Sequence, residues 1–387
     1  MISDTGSARP APSSPPAPFD RRTAVFSGVA VLAAPAVVRG STRELTLVAT
    51  WPRGLPGLWD GAARFADRVT ELSGGALKVT AFAAGEQIGA FESFDAVRRG
   101  DFDMYHGAEY YWQDRDRAFN FFTTVPFGFT ADEFAAWVSY GGGQELWDQL
   151  SSAYGLKTMM CGNTGVQMGG WYNRPITSLA DLKGLRIRIP GIAADIFRAL
   201  GSEPVSLPGG AIPAALFAGE IDAVEWVGPY NDLNFGVQKV LRNYMYPGFH
   251  EPGTCASLGL NAKTWAGLDP ADQAIIEAAA RAENQMMPAQ YAARSGPALS
   301  QMIREYGTNV MRFPDEIYAE VARIADETLA QIGSADPFAR RVVESFLSFR
   351  AQIAPSSQRI KGQYVGLRSQ ALAQAQAAPQ STLDVQD

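Results

Sequence analysis

The chain has 387 residues, 33 Lys and Arg against 40 Asp and Glu, a formal net charge of −7, and 47% hydrophobic residues. That length supports two domains with separate cores, and an acidic balance without a Lys/Arg block excludes a general nucleic-acid grip. With two cysteines, two histidines and no CxxC pair, soft-metal and thiol-redox chemistry are poorly supplied.

Residues 1–20 are rich in Pro, Ser and Ala without periodicity. Arg21-Arg22 and the apolar run TAVFSGVAVLAAPAVV, ending at Val38, follow. That run is too short and too small-residue-rich to span a bilayer, but it suits the core of a signal peptide. The paired arginines resemble a twin-arginine export signal with a long leader and an imperfect consensus. The reading is therefore an exported, periplasmic protein cleaved near residue 40; an ordinary signal or a buried N-terminal helix are the alternatives. No later segment is apolar enough to cross a membrane. Export permits a Cys161–Cys255 disulfide without requiring one.

From residue 44 the pattern alternates. ELTLVATWP reads as a strand, LWDGAARFADRVTELSGG as an amphipathic helix, ALKVTAF as a strand, FESFDAVRRG as a helix and DFDMYHG as a strand. The aromatic stretch 108–129 has no clean period and suits a hinge or a cleft wall. Thr130 and Glu133 form a capping box before FAAWVSY; a helix follows at about 144–154, then the strand LKTMMCG. After about residue 165 come the strand LRIRIP, the helix IAADIFRAL, the short strand EPVSLP, the helix AIPAALFAGE, the strand IDAVEWVG and a helix opened by Pro229. TCASLGLN reads as a return strand. Asp269-Pro270 opens a long helix, kinked at Pro288 and ending near Gly296. The strand TNVMRF, helices at about 315–332 and 337–353, and a further helical stretch broken at Gly362 and Gly366 complete the chain. The fold class is α/β: a two-lobed clamshell of the periplasmic-binding type, with crossing strands and a long linking helix. The expected division is lobe I at 44–165 and 254–295, lobe II at 166–253 and 296–353, and a C-terminal extension and tail at 354–387.

Three stretches bear chemistry. In LKGLRIRIPG, period-2 alternation puts Arg186 and Arg188 on one face of a strand. That face is either wet, or one guanidinium is held to grip an anion through its planar fork. MMCGNTGVQMGGWYNRP sets Asn163 and Gln167 in a glycine-rich loop, where amides either cap local backbone or present a carbonyl to a cation and an NH2 to a ligand oxygen. In GEIDAVEWVGP, Glu225 has only apolar neighbours and needs an arginine, a cation or a metal; YPGFHEPG adds His250 and Glu251. Two carboxylates and an amide favour a hard cation over zinc; left unpaired, Glu225 and Glu251 would suit acid/base catalysis in an exported hydrolase or lyase.

Taken in order, GNTGVQMGGWYN, LKGLRIRIPG, AGEIDAVEWVGPYND and YPGFHEPG resemble the solute-binding subunit of tripartite ATP-independent periplasmic (TRAP) transporters. The similarity covers roughly 44–365 and lies with the branch that binds 2-oxo and 2-hydroxy acids such as pyruvate or lactate, a branch often described as taking mannitol or chloroaromatic compounds. It implies a non-enzymatic protein without a catalytic cofactor. Arg188 becomes the carboxylate clamp, and Gln167 serves both ligand and cation. Glu225 and the Trp226 backbone carbonyl become metal ligands, and Glu251 stands at the ligand end of the same metal site. Asn163 joins the substrate-binding set, and Trp226 and Tyr105 pack the ligand's short carbon chain. The implied cation is Na+ or Ca2+. The implied partners are a small organic monocarboxylate, the small and large integral membrane subunits, and a second copy paired through the C-terminal helix. Arg186 is left at the surface.

Overall fold

A computed structural model describes residues 42–377; the signal region read at 1–40 and the last ten residues lie outside the described residues. Eleven strands among the described residues form two sheets. The first has the order β2 (Leu77–Phe82), β1 (Arg43–Ala49), β3 (Met104–Gly107), β10 (Cys255–Asn261), β4 (Leu156–Asn163). The second has the order β11 (Asn309–Arg312), β9 (Asn243–Tyr246), β5 (Gly170–Tyr172), β8 (Ala223–Val224), β6 (Arg186–Arg188), β7 (Glu203–Val205). The chain crosses from the first sheet to the second between β4 and β5 and returns between β9 and β10.

Early strands pair in parallel, β1 with both β2 and β3, while β10 lies antiparallel to β3 and β4. Parallel neighbours require a crossover, and helix α1 (Leu58–Leu72) supplies the first. Its buried residues Leu58, Ala62, Phe65, Ala66 and Val69 follow helical spacing and form one face against the sheet. Helices α2 (Ser93–Arg99), α3 (Ala131–Tyr140) and α4 (Gly143–Ala153) complete this half. Glu133 Oε2 accepts from the Thr130 backbone N–H at 3.0 Å, half of the capping box read from the sequence. Around the second sheet lie α5 (Gly191–Ala199), α6 (Ile212–Phe217) and α7 (Pro229–Phe235); α8 (Ala262–Ala266) follows β10.

Helix α9 runs from Pro270 to Tyr306, past the expected end at Gly296, with Pro288 and Pro297 both inside it. Asp269 caps it by accepting from the Asp272 N–H at 2.8 Å. Packing overrides the Gly-Pro break: α9 lies against β4 and α1 on one side and α7 on the other. Its end is set by Gly307, whose left-handed backbone (φ 65°) only glycine adopts at little cost. Helices α10 (Asp315–Ala335) and α11 (Pro337–Ser357) pack on each other. A π turn at Gln358–Gly362 then leads into α12 (Gln363–Ala377) without a break at Gly362 or Gly366.

Strand β9 and the three-residue β5 were not legible. Both are short and owe their pairing to the sheet: β5 lies between β8 and β9. The aromatic stretch supplies core packing, with Phe122 stacked on Trp137 and Trp147 at 5.6 and 5.2 Å. Cys161 and Cys255 are buried free thiols in different core clusters, so the disulfide that export would permit is absent.

Candidate functional site

Strand β6 runs parallel to β7 and β8, pairing Arg188 with Val205 and Val224. Arg186 and Arg188 share a face, but their surroundings differ. The Arg186 side chain is 42% exposed and forms a two-pronged ion pair with Asp222, Nε to Oδ2 and Nη2 to Oδ1, each 2.8 Å. Arg188 is 1% exposed. Its Nε donates to the Leu207 carbonyl at 3.0 Å and its Nη1 to the Glu225 carbonyl at 2.9 Å. The Trp226 ring lies against the guanidinium, 4.9 Å from centroid to Cζ. Nη2 has no hydrogen-bond partner among the described residues. Two carbonyls therefore hold Nε and Nη1 and leave Nη2 for an anion.

Backbone bonds bring three distant segments to this point. Gln167 N–H donates to the Glu251 carbonyl, Met168 N–H to Val227, and Gly248 N–H to Gln167. A Cβ at Gly248 would lie 2.8 Å from the carbonyl oxygens of Gln167 and Met168, so a side chain there would prevent this approach. Gln167 Nε2 lies within donating distance of Glu251 Oε2 at 2.8 Å, Thr254 Oγ1 at 2.9 Å and Thr164 Oγ1 at 3.0 Å, three acceptors around its two hydrogens. Thr254 Oγ1 also donates to Glu251 Oε2. The amide is thus turned so that its Oε1 is buried without a partner.

Glu225 and Glu251 are each 1% exposed. Neither oxygen of Glu225 accepts a hydrogen bond among the described residues; Arg188 Nη1 stands 3.6 Å from Oε2 and His250 Nε2 3.2 Å from Oε1. One ligand atom from each of Glu225, His250 and Glu251 falls within 4.8 Å of the others. Burial pushes Glu225 up to about 8, against the pull of Arg188, and Asp232 behind it adds to the rise. Burial, with Glu225 as neighbour, lifts Glu251 to about 7. Burial lowers His250 to about 4, leaving a neutral imidazole near pH 7. Two carboxyls in one dry pocket resist ionising together, and a cation between them removes that conflict. Three of the unpartnered acceptors here are oxygens, Gln167 Oε1 and both of Glu225, beside the ring nitrogens of His250, and an oxygen-rich set of this kind fits a hard cation.

Gln167, Arg188, Glu225, Trp226 and Glu251 therefore converge. Asn163 does not present a free amide carbonyl: its Oδ1 accepts from the Gly165 N–H at 2.8 Å, capping the loop. Tyr105 stands elsewhere and corrects the expectation that it packs a ligand. Its ring lies against Trp112 at 4.8 Å and Phe94 at 6.1 Å, and its hydroxyl donates to Glu109 Oε1 at 2.6 Å. The strand side chain at 105 points into the core, and the chain turns after β3. Tyr110 and Tyr111, in the turn that follows, are the tyrosines within reach of the Arg188 charge. The aromatic stretch 108–129 was the only sequence signal for them.

The model of the DctP family, bacterial extracellular solute-binding protein family 7, matches residues 55–336. A monocarboxylate 2-oxoacid-binding periplasmic protein of Nostoc sp. is 37% identical over 307 residues, 79% of this chain and 84% of the relative. A TRAP transporter solute-binding protein of Bordetella bronchiseptica, solved as a dimer with calcium and picolinate in one site, superposes with a TM-score of 0.85 at 33% identity, covering 87% of this chain and 100% of that one. A TRAP periplasmic solute-binding protein of Pseudoalteromonas atlantica with sodium and pyruvate gives 0.82 at 34% identity, covering 84% and 99%.

Proposed function

Because the chain belongs to the DctP family of bacterial extracellular solute-binding proteins, we propose that it is the solute-binding subunit of a TRAP transporter, loaded outside the cytoplasm with a small 2-oxo or 2-hydroxy monocarboxylate and a Na+ or Ca2+ ion. One observation carries this reading. A buried guanidinium nitrogen without a hydrogen bond, Arg188 Nη2, lies in the same pocket as three buried oxygens that accept none, so one pocket needs both an anion and a cation.

In this reading Arg188 takes the ligand carboxylate through Nη2. Gln167 Oε1, Glu225, the Trp226 carbonyl and Glu251 hold the cation, and Trp226 covers the carbon chain. A bound hard cation supplies the charge that lets Glu225 and Glu251 ionise together. The carboxylates thus serve binding, and no reaction is assigned to them. In the proposed division into lobe I (44–165, 254–295), lobe II (166–253, 296–353) and an extension from 354, the pocket's ligands would belong to the second lobe and its crossover segments. Export through the paired arginines, delivery to the two membrane subunits and pairing of two copies belong to the same proposal. The Bordetella dimer and the exposed Ile360, Tyr364, Val365, Leu367 and Leu372 of the C-terminal extension support the pairing.

The test is calorimetric. Protein stripped by chelation and dialysis is titrated with pyruvate, lactate and longer 2-oxo acids, without cation and with NaCl or CaCl2. Binding of a short acid that strengthens with one of the cations is expected. Failure of every acid to bind under all three conditions refutes the ligand class, and full affinity in stripped protein refutes the cation.

A further inference from the structure

His250 is the one member of the buried cluster that this reading leaves without a task. It sits in the turn after β9, is 1% exposed, and neither ring nitrogen has a hydrogen-bond partner among the described residues. Its Nε2 stands 3.2 Å from Glu225 Oε1, while Arg188 approaches the other carboxylate oxygen.

The ring is built in. Phe249 packs edge-on to it at 5.6 Å and is itself stacked on Phe127 at 6.0 Å and Phe197 at 6.1 Å. Gly248 lies close to the ring as well, since a Cβ added there would stand 3.0 Å from His250 Cε1. Hard cations take oxygen ligands, so an imidazole beside such a site does more as a donor to a ligating carboxylate than as a ligand. A histidine donating to a carboxylate in this way fixes the rotation of the carboxylate and hence the direction of its remaining lone pairs.

We infer that His250 is a positioning residue: with a cation bound, its Nε2–H donates to Glu225 Oε1, 3.2 Å away in this structure, and so presents the Glu225 carboxylate to the cation. The inference rests on the proposed cation-dependent binding. It assigns His250 to cation affinity, with an effect on the organic acid only through the cation. Arg188 Nη1, which donates to the Glu225 carbonyl, stays 3.6 Å from Glu225 Oε2, so His250 is the nearer donor to this carboxylate.

The experiment compares His250→Leu, which removes the donor, with His250→Gln, whose amide NH2 stands where Nε2 was. Calcium and sodium affinities are measured on stripped protein, and pyruvate affinity at limiting and at saturating calcium. His250→Leu is expected to bind calcium about 10- to 100-fold more weakly, the usual effect of losing such a partner, and His250→Gln to stay within about threefold of wild type. At saturating calcium, pyruvate affinity of His250→Leu should return to within about twofold of wild type, which general damage to the fold would not allow. Unchanged calcium binding in His250→Leu overturns the inference. So does pyruvate binding that stays weak at saturating calcium, which would place His250 on the ligand itself. A glutamine variant as weak as the leucine variant, together with zinc binding that needs His250, would make the imidazole a direct ligand and also overturn it. Wild type that binds calcium but no acid refutes the ligand class and leaves His250 tested on calcium alone; wild type that binds no cation overturns both.

Discussion

Replacing Arg188 by Lys keeps the charge and removes the fork. Arg188 spends Nε and Nη1 on the Leu207 and Glu225 carbonyls and keeps Nη2 for the ligand. A lysine ammonium has three hydrogens at a single point and cannot reach both carbonyls and both oxygens of a carboxylate. One charge-assisted bond lost at about 2 kcal/mol, plus part of the Trp226 stacking at about 0.5 to 2 kcal/mol, gives roughly 2 to 4 kcal/mol of binding energy. That corresponds to pyruvate affinity weaker by about 30-fold to about 800-fold. Arg186→Lys is the control on the same strand face: its partner is Asp222 in a solvent-facing pair, and affinity should stay within about twofold of wild type. Titration calorimetry of both variants in saturating cation reads the difference. Damage by Arg186→Lys with normal binding by Arg188→Lys would show that the clamp has been assigned to the wrong arginine.

Gly259→Ala should destabilise the first sheet, because its Cβ would meet the Tyr105 ring at 2.1 Å; a cost of about 1 to 3 kcal/mol in urea unfolding is expected, and an unchanged midpoint refutes the packing argument. Burial raises the Glu109 carboxyl from 4.5 to about 7, so the folded state holds that proton more tightly than the unfolded one. Its contribution is complete below pH 4.5 and is lost as pH rises through about 7. Glu109→Gln should therefore flatten stability over that window, by about 3 kcal/mol between pH 4.5 and pH 8; parallel pH profiles refute it. Lysine at both Arg21 and Arg22 should leave the precursor in the cytoplasm, and mature protein outside it at unchanged yield excludes the twin-arginine route.

Local patterns carried much of the fold. Alternation in ELTLVATWP and LRIRIP, helical spacing from Leu58 to Val69, and the Asp269-Pro270 start of α9 all depend on near neighbours, and so were legible. The order of the four motifs was legible too, and with it the family. Alternation could say that Arg186 and Arg188 share a face, but not which of them is buried. Leu207 and Trp226 close over one, Asp222 meets the other at the surface, and all three arrive from elsewhere in the chain. The same limit misplaced Tyr105, whose residue type suited a pocket while the pleat of β3 turns it into the core beside Phe94 and Trp112. The Gly-Pro pair at 296–297 reads as a stop by propensity, yet α9 continues through it because packing against both halves outweighs the local cost. Residue types at 167, 225 and 251 thus came from the sequence. Their convergence came from the tertiary structure, because burial and distance belong to what other segments bring alongside.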